Sequence, residues 1–311
     1  MTTMRQHAID YLAMRRALGF TMVTQGRTLM SFVGDLEASG GTVLTAEAAL
    51  TWATHTPGST NPAYWASRLG TVRVFARHLK TLEPATEIPP EDVLPHRAQR
   101  ITPYIYTPAE TIGLLRAAGQ LRPQLRAATW QAILALLMAT GLRVSEACHL
   151  DRDDVDLCCG TLTVRDSKGK SREVPIHSST TTALSDYTLV RDRFCPAPSA
   201  PAFFVCIRGT RMDASNMPRV FRGLLTAAGI RRPVGRRGPR LHDCRHSFAV
   251  ATLLDWYQAD ADVQAQLPKL ATYLGHGDPK DSYWYLTGTP ELLALAAARL
   301  ESTVTGEDHD G

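Results

Sequence analysis

The chain has 311 residues, 44% of them apolar and 21% charged, and a formal net charge of +4. This composition is ordinary for a soluble globular protein, and the length implies about two domains. No window is long and apolar enough to form a membrane-spanning helix, while a net charge this small names no partner by itself.

The first ninety residues read as mostly helical. Residues 7–18 carry Ile9, Leu12, Ala13 and Ala17 at helical spacing, and Gly19 supplies a stop. Leu29, Phe32, Val33 and Leu36 repeat the pattern over 24–38, and Thr45 with Ala48 heads a third segment. Asn61-Pro62 opens a fourth running to about Leu82, with Asn as the cap and Pro at the first helical position. Its Trp65, Leu69, Val72 and Phe75 form one apolar stripe. Arg68, Arg73, Arg77 and Lys80 lie largely elsewhere, as a basic surface that could meet a duplex or simply solvate a helical bundle.

Prolines at 84, 89, 90, 95 and 103 argue against regular structure. A capping box at Thr107-Pro108-Ala109-Glu110 then starts a new domain. The expected division is a helical domain over 1–88, a linker over 89–105, a second domain over 106–302 and an acidic tail over 303–311. Leu125 to Thr140 is apolar nearly all round and should form the second core, with Gly141 ending it and Arg143 opening a short helix. Thr161–Val164 and Arg172–Ile176 alternate as strands about Gly169, a hairpin. A helix near 180–194, a short apolar strand at 203–206 and further helices complete an α+β, mainly α fold with a small β-sheet.

Charge is unevenly spread. Ten arginines between Arg208 and Arg245 face only Asp213 and Asp243, a cluster suited to phosphate that includes Arg219, Arg222 and Arg240. From Asp255 onward ten acidic residues oppose Lys269, Lys280 and Arg299. Six cysteines show no zinc-site spacing, no secretion signal precedes the first helix, and the expected location is the cytoplasm.

Three short boxes carry the chemistry: Thr140-Gly141-Leu142-Arg143 with Glu146, His242-Asp243-Cys244-Arg245, and Leu274-Gly275-His276 followed nine residues later by Tyr285. Breaking a phosphodiester without a metal needs a nucleophile, cations for the non-bridging oxygens and an acid for the leaving oxygen. Arg143 and Arg245 suit the second task, because a guanidinium donates bidentately to phosphate and stays protonated. His242, three residues before Arg245, can address the same phosphate and titrates near neutrality. Glu146 and Asp243 repel phosphate and are supporting residues, placed to orient the arginines or His242.

In this order and spacing the boxes resemble the tyrosine recombinases, the phage-integrase and Xer-like family, over roughly residues 105–300. The resemblance implies a nucleophilic Tyr285, a phosphate hydrogen bond from His276, and a hairpin lysine as general acid. Asp166-Ser167-Lys168-Gly169-Lys170-Ser171-Arg172 matches the hairpin segment but is one residue short of the common pattern, so Lys168 is the choice and Lys170 stays open, with Lys170 and Arg172 otherwise set toward DNA. It further implies a double-stranded DNA target, a homotetramer on DNA, and no cofactor or metal. On this resemblance the chain is expected to begin at the helical clamp, with no separate arm-binding module ahead of it. An apolar helix from Pro290 to Glu301 should dock either on a neighbouring protomer or on its own domain. A type IB topoisomerase-like enzyme and a catalytically silent DNA-binding regulator are the alternatives.

Overall fold

The computed structural model describes residues 3–95, 102–167, 170–233, 238–276, 285, 292 and 294. The chain divides into two compact units, Met1–Arg100 and Ile101–Gly311, each with its own apolar core. The first unit contains α1 (Met4–Ala17), α2 (Val23–Ala38), α3 (Ala46–Thr54) and α4 (Pro62–Leu79). Polar residues set where three of them begin. The side chains of Thr3, Thr45 and Asn61 accept from the backbone N–H groups of Gln6, Ala48 and Ala63, donors that no helical carbonyl reaches. Leu29, Phe32, Val33 and Leu36 bury against Leu69, Val72 and Phe75, as the periodicity requires. Trp65 is half-buried at the edge of that stripe, its indole N–H donating to the Ser59 carbonyl at 3.2 Å.

The cations of α4 are less open than their spacing suggests. Arg68 lies 3.8 Å above the Trp52 ring and donates to the Thr56 hydroxyl. Arg73 donates to the carbonyls of Pro89 and Pro90 at 2.8 and 2.6 Å, and Arg77 pairs with Glu91. The proline-rich segment is therefore laid along α4, with Leu94 against the first core. Three of the four residues expected to face DNA thus also have partners within this unit, the ring of Trp52, two carbonyls and a carboxylate, while Arg77 remains exposed. Lys80, the residue capping α4, is exposed.

The second unit contains α5 (Pro108–Gly119), α6 (Gln124–Thr140), α7 (Val144–His149), α8 (Ser178–Phe194), α9 (Met217–Ala227), α10 (Asp243–Gln258) and α11 (Val263–Leu274). An antiparallel sheet runs in the order β1 (Val155–Asp156), β2 (Thr161–Ser167), β3 (Lys170–Pro175). The capping box at Thr107 and Glu110 forms as expected. Helix α6 is the centre of the unit: it packs on α5, α8 and α10, and Ile133, Leu136 and Leu137 are fully buried. Leu162 of β2 pairs with Val174 of β3, and both are also fully buried.

Two expectations change here. The two-residue β1 had no signal of its own, being too short to alternate. The apolar run at 203–206 is not a strand of the sheet. Isolated bridges join Asp151 to Ala202 and Val205 to Arg211, and Ala202, Phe203, Phe204 and Val205 are all buried. Burial on every side, not strand pairing, accounts for that run. No described helix is long and apolar enough to cross a membrane. Of the apolar stretch after Pro290, Leu292 is described as buried against Val250, Leu253 and Leu267 of its own unit, and Ala294 is exposed.

Candidate active site

The site is assembled from the ends of helices. Helix α6 stops at Gly141, whose backbone is left-handed at φ 61°, a conformation that favours glycine, and a Cβ there would lie 2.6 Å from Phe248. The turn delivers Arg143 to the N-cap of α7. Glu146, on the first turn of that helix, accepts from the Arg143 backbone N–H at 2.9 Å and from its Nη1 at 2.6 Å. Arg172 reaches the same carboxylate from β3, with Nη1 and Nη2 at 3.2 and 3.0 Å. It shares a strand face with the core residue Val174, which directs it inward. Arg172, expected to be set toward DNA, is thus paired with Glu146.

Helix α11 ends at Gly275, again left-handed at φ 69°. Three guanidiniums clasp three consecutive carbonyls at that end. Arg172 Nε donates to Tyr273 at 2.8 Å, Arg245 Nη2 to Leu274 at 2.7 Å, and Arg143 Nη2 to Gly275 at 2.9 Å. Helix C-termini leave carbonyls unpaired and carry partial negative charge, so cations are suited to them. Arg245 also donates to Gly141 at 2.9 Å, tying the end of α6 to the end of α11. Among the described residues the carboxylate paired with these three positive charges is that of Glu146, bonded to Arg143 and Arg172.

His276 directly follows this clasp. Tyr285 lies with its hydroxyl 3.5 Å from His276 Nε2, the two rings stacked at 5.9 Å and 19°, and is only 3% exposed. Burial pushes the pKa of Arg245 below the ordinary value, opposed by its attraction to and hydrogen bond with Tyr285. His242 is the N-cap residue of α10, exposed to solvent. Partial burial of its ring and the nearby guanidiniums of Arg245 and Arg240 hold its imidazole below the usual range. His246, one turn further along α10, packs edge-on against both His242 and Tyr285.

A family model described as phage integrase matches residues 108–290. The candidate integrase/recombinase y4rB of Sinorhizobium fredii is 44% identical over 97% of this chain and 98% of its own length. The chain belongs to the phage integrase family. Two solved structures share its fold. One is the integrase of transposon Tn1549 with transposon right-end DNA, which has a TM-score of 0.67 and 17% identity over 96% of this chain and 100% of that one. The other is a lambda integrase tetramer on a Holliday junction, at 0.63 and 15%, covering 91% and 77%.

In this integrase the structure brings together Arg143, Glu146, His242, Arg245, His276 and Tyr285. Lys168 lies outside the described residues, and for Lys170 only the backbone is described, paired with Ser167 at the hairpin end. Arg219 and Arg222 are exposed on α9. Arg240 is tied to Asp243 through its backbone N–H and its Nη2, both at 2.8 Å. Asp243, expected to support the arginines or His242, therefore orients Arg240 by hydrogen bonding, and its charge also acts on His242. Sequence reasoning missed the inward role of Arg172, although its spacing from Val174 carried the signal. Among the described residues no group of three or more His, Cys, Asp or Glu is arranged around a common metal position.

Two results are expected of the integrase site. Glu146→Ala leaves Arg143 and Arg172 facing each other with no carboxylate between them, and should cost about 3–5 kcal/mol of stability, read from urea denaturation; Glu146→Gln should cost less. The second concerns acid. Burial, followed by the charges of His242, Arg240, Arg245 and His276, pushes the His246 pKa down from 6.5 to about 4. Between those values the unfolded chain binds more protons, so stability is full above pH about 6.5 and falls as pH drops toward about 4. With partial exposure allowed for, His246 contributes on the order of 2 kcal/mol of that loss. Urea midpoints at pH 7 and pH 5 should show the decline, and His246→Phe should flatten it.

Proposed function

We propose that the chain is a site-specific recombinase that cuts and rejoins double-stranded DNA through a 3′-phosphotyrosyl bond on Tyr285. One observation carries the residue assignment: the Tyr285 hydroxyl lies beside His276 and Arg245, and His276 directly follows the carbonyls that the three arginines clasp. The phenol oxygen attacks the scissile phosphorus and the bond to the 5′-oxygen breaks. Arg143 and Arg245 neutralise the non-bridging oxygens as negative charge builds, and His276 donates a hydrogen bond to them. His242 takes part in moving the phenol proton. Lys168, or Lys170 in its place, protonates the departing 5′-oxygen. A 5′-hydroxyl from another duplex then attacks the phosphotyrosine, so the bond energy is conserved and no ATP is consumed.

The DNA-bound states of the transposon and lambda integrases support a duplex target and a tetramer on DNA. The cytoplasm is the location this substrate suits. The comparisons give no support to the topoisomerase-like and catalytically silent alternatives.

Because guanidinium and imidazole groups supply the charge that metals supply elsewhere, cleavage should continue at an unchanged rate in excess EDTA. A strict need for added magnesium would overturn the mechanism. The decisive experiment maps covalent protein–DNA complexes across fragments of the host replicon. A discrete set of sites supports recombination, and the absence of any covalent complex refutes the proposal.

A further inference from the structure

His246, half-buried beside the nucleophile, is left without work by the chemistry above. Its ring stands edge-on between His242, at 5.2 Å and 86°, and Tyr285, at 5.5 Å and 62°. Tyr285 is stacked from its other neighbour, His276, at 19°. The phenol ring thus has one imidazole along its face and another across it, an arrangement that restricts how it can tilt.

The Nδ1 atom of His246 is buried and has no hydrogen-bond partner among the described residues. Buried polar side chains are ordinarily satisfied, and an orphan of this kind costs stability. The position is on the inner side of α10, three and four residues before the fully buried Ala249 and Val250, where an apolar side chain would fit the local pattern. A histidine kept there at a cost, and in contact with the nucleophile, is better explained by what it does to Tyr285 than by packing.

We propose that His246 is a positioning residue for the nucleophile, a ring wedged between His242 and Tyr285 that fixes the angle from which the phenol oxygen meets the phosphate. This rests on Tyr285 being the nucleophile. The low pKa of about 4 fits the role, because the wedge is then uncharged at neutral pH and does not repel the neighbouring guanidiniums. Misplacement of a reacting atom by about 1 Å costs on the order of a hundredfold in rate, which sets the size of the effect.

The test uses the full chain and a nicked duplex of a site found by the covalent-complex mapping. The nick lies just beyond the cleavage point, so the short 5′-hydroxyl strand diffuses away and the covalent complex accumulates. His246→Leu should melt no earlier than the parent, bind the duplex with unchanged half-saturation, and form the complex about a hundredfold more slowly. His246→Phe keeps a ring and should recover to within about tenfold. His246→Ala is read alongside, with the expectations of the leucine variant. A merely structural role would not separate rate from binding and stability in this way.

A second arm isolates the nucleophile. In Tyr285→Phe, hydrogen peroxide is supplied as a small oxygen nucleophile that attacks the same phosphorus. Its oxygen is not held by the protein, so adding His246→Leu to this background should leave peroxide cleavage unchanged. A hundredfold drop there would place His246 on the phosphate and overturn the proposal, as would parental cleavage rates in the leucine and alanine variants. If Tyr285→Phe itself still formed the covalent complex, the underlying assignment of the nucleophile would be the part that failed.

Discussion

Tyr285→Phe is expected to bind its DNA as tightly as the parent and to form no covalent complex, a loss of about ten-thousandfold or more in strand cleavage. Only the hydroxyl is removed. The ring that stacks on His276 and meets His246 edge-on is retained, so the local packing of this 3%-exposed residue should persist. Two residues earlier in the sequence stands a second tyrosine, Tyr283, and the parallel Tyr283→Phe variant should still form the complex. Denaturing gels of protein–DNA adducts, followed by peptide mapping of the attached tyrosine, check both. An adduct on Tyr283 would defeat the choice made from the nine-residue spacing to His276 and from the contact between His276 and Tyr285.

The arginines come next in size. Arg143→Ala and Arg245→Ala should each slow cleavage by about a hundred- to a thousandfold while leaving most DNA affinity in place, because they act on charge that develops only in the transition state. Exposed cations such as Arg219 and Arg222 remain to hold the backbone. The two variants should differ in stability. Arg143 is partly exposed, whereas Arg245 is 2% exposed and donates to two buried carbonyls. Removing it orphans both acceptors, at about 1–3 kcal/mol each. Single-turnover cleavage read beside DNA titration and urea denaturation separates these effects. Folded variants that had lost DNA binding altogether would show that the two arginines anchor and do not catalyse.

Much of this molecule was readable in advance, for physical reasons that can be named. The caps at Thr45, Asn61 and Thr107 announced helix starts because backbone N–H groups there need a local acceptor. Leu125 to Thr140 announced a central helix because nothing polar interrupts its second half, from Ala132 to Ala139. The boxes carrying Arg143, Arg245, His276 and Tyr285 were visible because each is a contiguous signal. What stayed hidden depends on partners distant in sequence. That Arg73 would be taken by Pro89 and Pro90, sixteen and seventeen residues further on, follows from where the chain returns, which periodicity does not encode. Arg172 looked like one more hairpin cation, and only the position of Glu146 across the fold turned it inward. His246 carried no box of its own, and its meaning comes from the two rings it touches.

The clasp at the end of α11 joins side chains from three separate elements to three successive main-chain oxygens. A carbonyl is present whatever residue the codon specifies. Divergent descendants of this chain can therefore keep all three acceptors with any side chains at positions 273 and 274 that the packing accepts, a restriction set at Leu274 by its full burial. Position 275 is the exception, since any Cβ there would come within 2.6 Å of the Arg172 guanidinium. Under drift, the alignment of the arginines with His276 is inherited through backbone shape, and its weak point is one glycine codon.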